Sequence, residues 1–311
     1  MRTLLNWSAA SMKVATVGVS CLCLAAVGCG GATPVTVVQA NFSLTNSAEP
    51  VILAAVVGEG ATVTNAATAV GAVTATAAGD WGTVKGQVIA GGPVEPLKLL
   101  VTKGDAAAKD PAVCAAQDIP DESLVIDAKT GGIANVVVYL QKKPAKVHPD
   151  LEKSKEAEVV FDQKGCRFLP QVLLVRTDQQ VRVLSDDAIA HNTHTWPLKN
   201  NQTNVIITPS DRTGVLFPPL KIGERLPTKI SCDIHPWMQA WWVILDHPYA
   251  AITKADGTFE IKDLPVGDHE FIVWKTGGYI EKSYKVTVKV GENNLKPIKV
   301  PVETLIKMLT K

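Results

Sequence analysis

An all-β fold of the sandwich kind is what this sequence predicts, and three observations predict it. From Trp81 onward, short runs of apolar and β-branched residues recur, among them TVKGQVI (83–89), IANVVVYL (133–140), QVLLV (171–175), VRVL (181–184), NVIIT (204–208), WWVIL (241–245), FEIKDL (259–264), EFIVW (270–274) and YKVTVKV (284–290). Gly, Pro, Asn and Asp separate them, as turns separate strands. Apart from VETLIKML (302–309), no long stretch repeats its apolar residues with the helical period.

The elements before the strands are of a different kind. From Met12 the chain reads MKVATVGVSCLCLAAVGCGG, a short basic start before an apolar run of small residues. Such a run is a secretory signal, too short for a stable membrane span. Its end, AVGC (26–29), resembles the bacterial lipobox, which implies cleavage before Cys29 and lipidation of that thiol. Residues 1–29 are therefore expected to be a leader, and the remainder an exported chain of the bacterial cell envelope held to a membrane by its lipid. Residues 30–80 are rich in Ala, Thr, Val and Gly and poor in large side chains. Too little apolar area is available there to offset the entropy of ordering, so a flexible tether is expected.

Two strand patterns are interleaved in the remainder. GTVKGQVIAGGPV (82–94) with IANVVVYLQK (133–142) resembles the opening of a carboxypeptidase regulatory-like (transthyretin-like) β-sandwich, and ITKADGTFEIKDLPVGDHEFIVWKTGGYIEKSYKVTVKVGE (252–292) resembles its close. Asp256-Gly257 supplies the backbone freedom for a tight hairpin in the closing part. On this resemblance residues 81–142 and 250–300 share one sandwich, with residues 157–247 inserted. The alternative is that 81–142 supplies the first strands of the middle part, leaving 250–300 as a separate small sandwich.

The middle part carries the chemistry. With six cysteines, six histidines and four methionines in the whole chain, SCDIHPWM (231–238) brings one of each into a single short loop, spaced C-x2-H-x2-M. A thiolate, an imidazole and a thioether together are a soft ligand set that suits copper. In order, VVFDQKGCRFLPQVLLV, TDQQVRVLSDD, AIAHNTHTW and KISCDIHPWMQAWWVIL resemble the pieces of a Greek-key cupredoxin, a small blue copper protein of the amicyanin or plastocyanin type. The resemblance implies one type 1 copper ion held in a trigonal plane by His191, Cys232 and His235, with Met238 as the weak axial ligand. It also implies that Asn192 hydrogen-bonds across to the cysteine loop and tunes the site from outside. His194, on the same strand face as His191 if that strand is regular, is the competing imidazole.

The other thiols after residue 29 are Cys114 and Cys166. In an oxidising compartment they can pair and pin the long loop 95–130; otherwise each is a buried free thiol.

The function implied is a one-electron carrier whose exposed His235 edge passes the electron to a redox partner protein of the envelope. Pro236 and Trp237 would then form an apolar docking patch. A copper carrier or buffer without electron transfer would use the same ligands, and a structural module with a vestigial metal loop is the third reading. A net charge of +1 gives no sign of a nucleic-acid partner. No enzyme is expected, since a binuclear copper centre needs two loop cysteines and structural zinc favours paired Cys and His ligands.

Overall fold

A computed structural model describes residues 79–309. The leader, Cys29 and all but the last two residues of the expected tether lie outside the described residues. The described chain is all-β.

Its elements in order are β1 (Trp81–Ala90), α1 (Pro111–Cys114), β2 (Val137–Leu140), β3 (Glu158–Gln163), β4 (Phe168–Leu169), β5 (Val172–Arg176), β6 (Gln180–Ser185), β7 (His191–Trp196), β8 (Thr203–Ile207), β9 (Val215–Leu216), β10 (Thr228–Ser231), β11 (Gln239–Leu245), β12 (Ala250–Ile252), β13 (Thr258–Pro265), β14 (Gly267–Lys275), β15 (Gly278–Val288), β16 (Gly291–Asn294), β17 (Ile298–Val300) and α2 (Val302–Leu309). They form four sheets.

Strands β3 to β11 make one sandwich, from a sheet ordered β5-β11-β10-β7-β8 and a facing sheet ordered β4-β3-β6-β9. Around it, β1 pairs with β13, β16 and β17, while β2 lies between β12 and β14, with β15 outermost. Strands that precede the inner sandwich thus hydrogen-bond with strands that follow it, and the strands of the inner sandwich are entered after β2 and left before β12, which are neighbours.

The seam between the sandwiches explains the continuous apolar runs. Successive strand side chains point to opposite faces. On β11, Trp242 and Ile244 enter the inner core while Val243 and Leu245 enter the seam. On β14, Phe271 and Val273 enter the outer core while Ile272 and Trp274 enter the seam. Val137 and Tyr139 of β2 and Val172 of β5 complete the seam. A strand buried on both faces has no polar side to display, so WWVIL and EFIVW carry no alternation. Each such side chain contributes about 1.5–3 kcal/mol of burial.

Some strands are absent from the apolar pattern. β7, HNTHTW, is buried at its first three residues although all three are polar. IANVVVYL becomes a strand only from Val137, because Asn135 has a positive φ of 59° and breaks the extended run before it.

Candidate metal centre

β7 begins at His191, after SDDAIA, and presents that side chain to the inner core, where it is fully buried. β10 ends at Ser231 and β11 begins at Gln239. The intervening loop is closed by two backbone bonds, Met238 N–H to the His235 carbonyl at 2.9 Å and Cys232 N–H to the Met238 carbonyl at 3.2 Å. β7 and β10 are hydrogen-bonded neighbours, with Ser231 opposite His194, and this pairing brings residues about forty positions apart into one site.

His191, Cys232 and His235 converge, each buried, with one ligand atom of each lying within 4.8 Å of the others. The Nδ1 atoms of the two imidazoles are 2.9 Å apart, and the Cys232 Sγ is 3.7 Å from the Nδ1 of His235. Metal–nitrogen bonds of about 2.0 Å and a metal–sulfur bond of about 2.3 Å would span both of these spacings, each of which is shorter than the sum of the two bonds it needs. Met238 is 2% exposed and packs in the same core cluster as Cys232. Two imidazoles and one thiol in a buried site, with a methionine in the same core cluster, are a donor set that fits copper.

Asn192 lies behind the loop. Its Oδ1 accepts the Asp233 N–H at 2.7 Å and the Cys232 thiol at 3.3 Å, and its Nδ2 donates to Asp233 and Asn204. The sulfur also accepts the His235 N–H at 3.4 Å. Burial pushes the Cys232 thiol up, but hydrogen bonds from His191, His235 and the neighbouring backbone outweigh it and hold the group at about 6, so a thiolate is available near neutrality. Burial likewise pushes His191 down, while Asp187 and the Cys232 sulfur together raise it to about 8.

His194 does not share the site. It lies three positions after His191, and an odd offset in a strand reverses the face. It stacks on Trp196 and bonds the Asp233 carboxylate at 3.0 Å through Nδ1. The expectation of a shared face is thereby corrected.

The exposed edge expected for His235 is also corrected. His235 is 0% exposed, and its Nε2 meets the Asp110 carboxylate at 3.0 Å. The reason lies in the segment after β1, which folds over the metal loop and includes α1, where open solvent was expected. Of the docking patch, Pro236 is exposed and Trp237 is half-buried, its Nε1 donating to the Cys166 carbonyl at 3.1 Å. Cys166 and Cys114 form a disulfide, with a Cα–Cα separation of 5.3 Å.

Two residues at the site had no assigned role in the sequence. Asp187 bonds the His191 Nε2 at 2.9 Å and accepts N–H bonds from Gly165 and Cys166 at 2.6 and 2.8 Å. Its place four residues before His191, in a run of two aspartates, is the one signal that could have found it. Asp110 lies 125 residues from its imidazole and leaves no local signal.

No protein-family model and no curated protein matches the chain. Among solved structures it is similar to an amicyanin variant in its Cu(I) form, at 16% identity over 30% of this chain and 87% of that one, TM-score 0.25. It is similar to a purple cupredoxin from Nitrosopumilus maritimus, at 15% identity over 29% of this chain and 100% of that one, TM-score 0.23. It is also similar to a copper-containing nitrite reductase from Thermus scotoductus SA-01, at 15% identity and TM-score 0.24; the match covers 28% of this chain and spans 22% of that enzyme's length.

Proposed function

We propose that the chain is a type 1 copper protein of the cupredoxin class that carries one electron at a time in the bacterial cell envelope. The observation that carries this reading is the buried convergence of the His191 and His235 Nδ1 atoms with the Cys232 sulfur, on a loop closed at Met238. Copper, when bound, would supply a Cu(II)/Cu(I) couple. The residues hold the ligand geometry: β7 and the neighbouring strands preset His191, the closed loop presets Cys232 and His235, and Asn192 ties the two together. A preset cage rearranges little between oxidation states, which favours rapid exchange.

Visible absorption and EPR of the full chain loaded with Cu(II), beside Cys232→Ser, test the proposal. An intense blue band with narrow copper hyperfine splitting, lost in the variant, is the expected result. A colourless chain that takes up no stoichiometric copper would sink it.

A second reading, copper carriage or buffering without electron transfer, is favoured by the complete burial of His235 beneath Asp110. Cu(I)/Cu(II) self-exchange separates the two, being rapid for an electron carrier and slow for a buffer. The lipid anchor at Cys29, the envelope location and a redox partner there belong to the same proposal and rest on the leader sequence. Palmitate labelling of the full chain, abolished in Cys29→Ala, tests the anchor. We read the outer sandwich, with its strand signals like those of carboxypeptidase regulatory-like units, as the platform on which the copper unit is mounted.

A further inference from the structure

We infer that Asp110 is a positioning residue of the metal centre, which holds the outer nitrogen of His235, seals that imidazole from solvent and biases the ion toward its oxidised state. The inference rests on the copper reading for its last part only.

Four observations carry it. The Asp110 carboxylate lies 3.0 Å from the His235 Nε2, while the Nδ1 of the same ring faces the His191 ring and the Cys232 sulfur. A carboxylate on the outer nitrogen accepts its N–H, which leaves the Nδ1 lone pair free at the metal position. Next, Asp110 occupies the N-cap of α1, where an Asp side chain ordinarily accepts a backbone N–H of the first turn, yet it makes no capping bond. The carboxylate is committed to the imidazole instead. Its backbone, moreover, is left-handed, at φ 52° and ψ 55°, a conformation that most non-glycine residues avoid. Such a backbone is kept where the surroundings over-determine it, and here it turns the side chain toward the loop.

The fourth observation is that the arrangement is repeated. Asp187 bonds the outer nitrogen of His191 and is itself cradled by the Gly165 and Cys166 N–H groups. The Cys114–Cys166 disulfide joins the short helix that begins after Asp110 to that cradle. Both imidazoles are therefore backed by carboxylates, and one covalent brace supports the two. Two negative charges behind two ligands favour the more positive oxidation state. With its side chain 36% exposed, Asp110 stands between His235 and solvent.

The test uses the full chain and three variants, Asp110→Asn, Asp110→Gly and Asp110→Glu. Asn and Gly both tolerate the left-handed backbone, so the first removes the charge and the second the whole side chain without new strain. On the metal-free chain, long-range proton–nitrogen NMR of labelled histidine is expected to show His235 as a single Nε2–H tautomer in the parent, in Asp110→Asn, whose amide oxygen can still accept, and in Asp110→Glu. Asp110→Gly is expected to show a tautomer mixture. A single unchanged tautomer in Asp110→Gly overturns the positioning role.

With copper, Asp110→Asn and Asp110→Gly are expected to keep the blue band while the Cu(I) to Cu(II) ratio at a fixed potential rises about tenfold, equivalent to a potential about 59 mV higher. Asp110→Glu is expected to restore the parent ratio within about twofold. An unchanged ratio in both charge-removing variants, with the band intact, overturns the electrostatic role. A parent chain that binds no copper defeats the copper reading and the electrostatic role with it, and the tautomer comparison then decides the positioning role alone.

Discussion

Asn192 Oδ1 accepts the Asp233 N–H at 2.7 Å, so the strand that presents one imidazole also grips the loop that presents the thiol. The same oxygen receives the Cys232 thiol at 3.3 Å, and Asn192 is 3% exposed. Replacing it with Ala removes the acceptor of a part-buried N–H, at a cost of about 0.5–1.5 kcal/mol. Asn192→Ala is expected to lower copper affinity about 10–100-fold, read by chelator competition. An affinity within about twofold of the parent would show that the loop holds its shape unaided.

The two histidines of β7 are expected to separate cleanly. His191→Gly should abolish the blue band, because its Nδ1 faces His235 and Cys232 inside the core. His194→Ala should leave the band in place, because that ring bonds Asp233 and stacks on Trp196 outside it. Absorption spectra of the two copper-loaded variants check this, and the opposite pattern would reassign the ligand.

The disulfide closes a loop with a sequence separation of 52. Loop-closure entropy for that length is worth about 4 kcal/mol at 25 °C. Cys114→Ser with Cys166→Ser should lower the urea-unfolding free energy by roughly this amount. A loss below about 1 kcal/mol would mean that the packing of α1 holds the segment without help.

Lys275 ends β14 fully buried, and its Nζ has no hydrogen-bond partner among the described residues. Burial pushes the ammonium down to about 7, against weaker opposing pulls from Asp121 and Glu122. Between that value and 10.5 the unfolded chain binds the proton and the folded chain does not, so stability rises with pH across the window. The slope approaches about 1.4 kcal/mol per pH unit at most. Lys275→Met should abolish the slope and stabilise the chain at pH 7, as denaturation between pH 7 and 10 would reveal.

Glu224 is 5% exposed, and its carboxylate accepts the N–H groups of Leu198, Lys199 and Asn200 together with the Asn200 side-chain amide. It thereby anchors the turn that follows β7. Glu224→Ala strands several donors and should cost about 1–3 kcal/mol. Faster hydrogen exchange at Leu198, Lys199 and Asn200 is the local signature, and unchanged protection there would refute the anchor.

Sequence by itself determined what local spacing can carry. Strand positions followed from the β-branched runs, because an extended chain packed on a core must repeat its apolar residues within a few positions. The closed loop of Cys232, His235 and Met238 was legible because its members lie within seven consecutive residues, and His191 because Asn192 stands beside it. β7 itself was not legible as a strand, since its three buried leading positions are His191, Asn192 and Thr193 in place of apolar side chains.

Tertiary structure alone decided how these pieces meet. The pairing of β1 and β2 with β12 to β17, across an inserted sandwich, joins residues too far apart for any local period to register. The burial of His235 follows from a carboxylate 125 positions away, carried by a segment with no apolar periodicity of its own. Long-range contacts of this kind arise when a folded surface offers an unpaired polar atom and a distant residue happens to complete it. Chemistry at that distance is set by where the chain returns in space, and spacing along the chain carries no record of it.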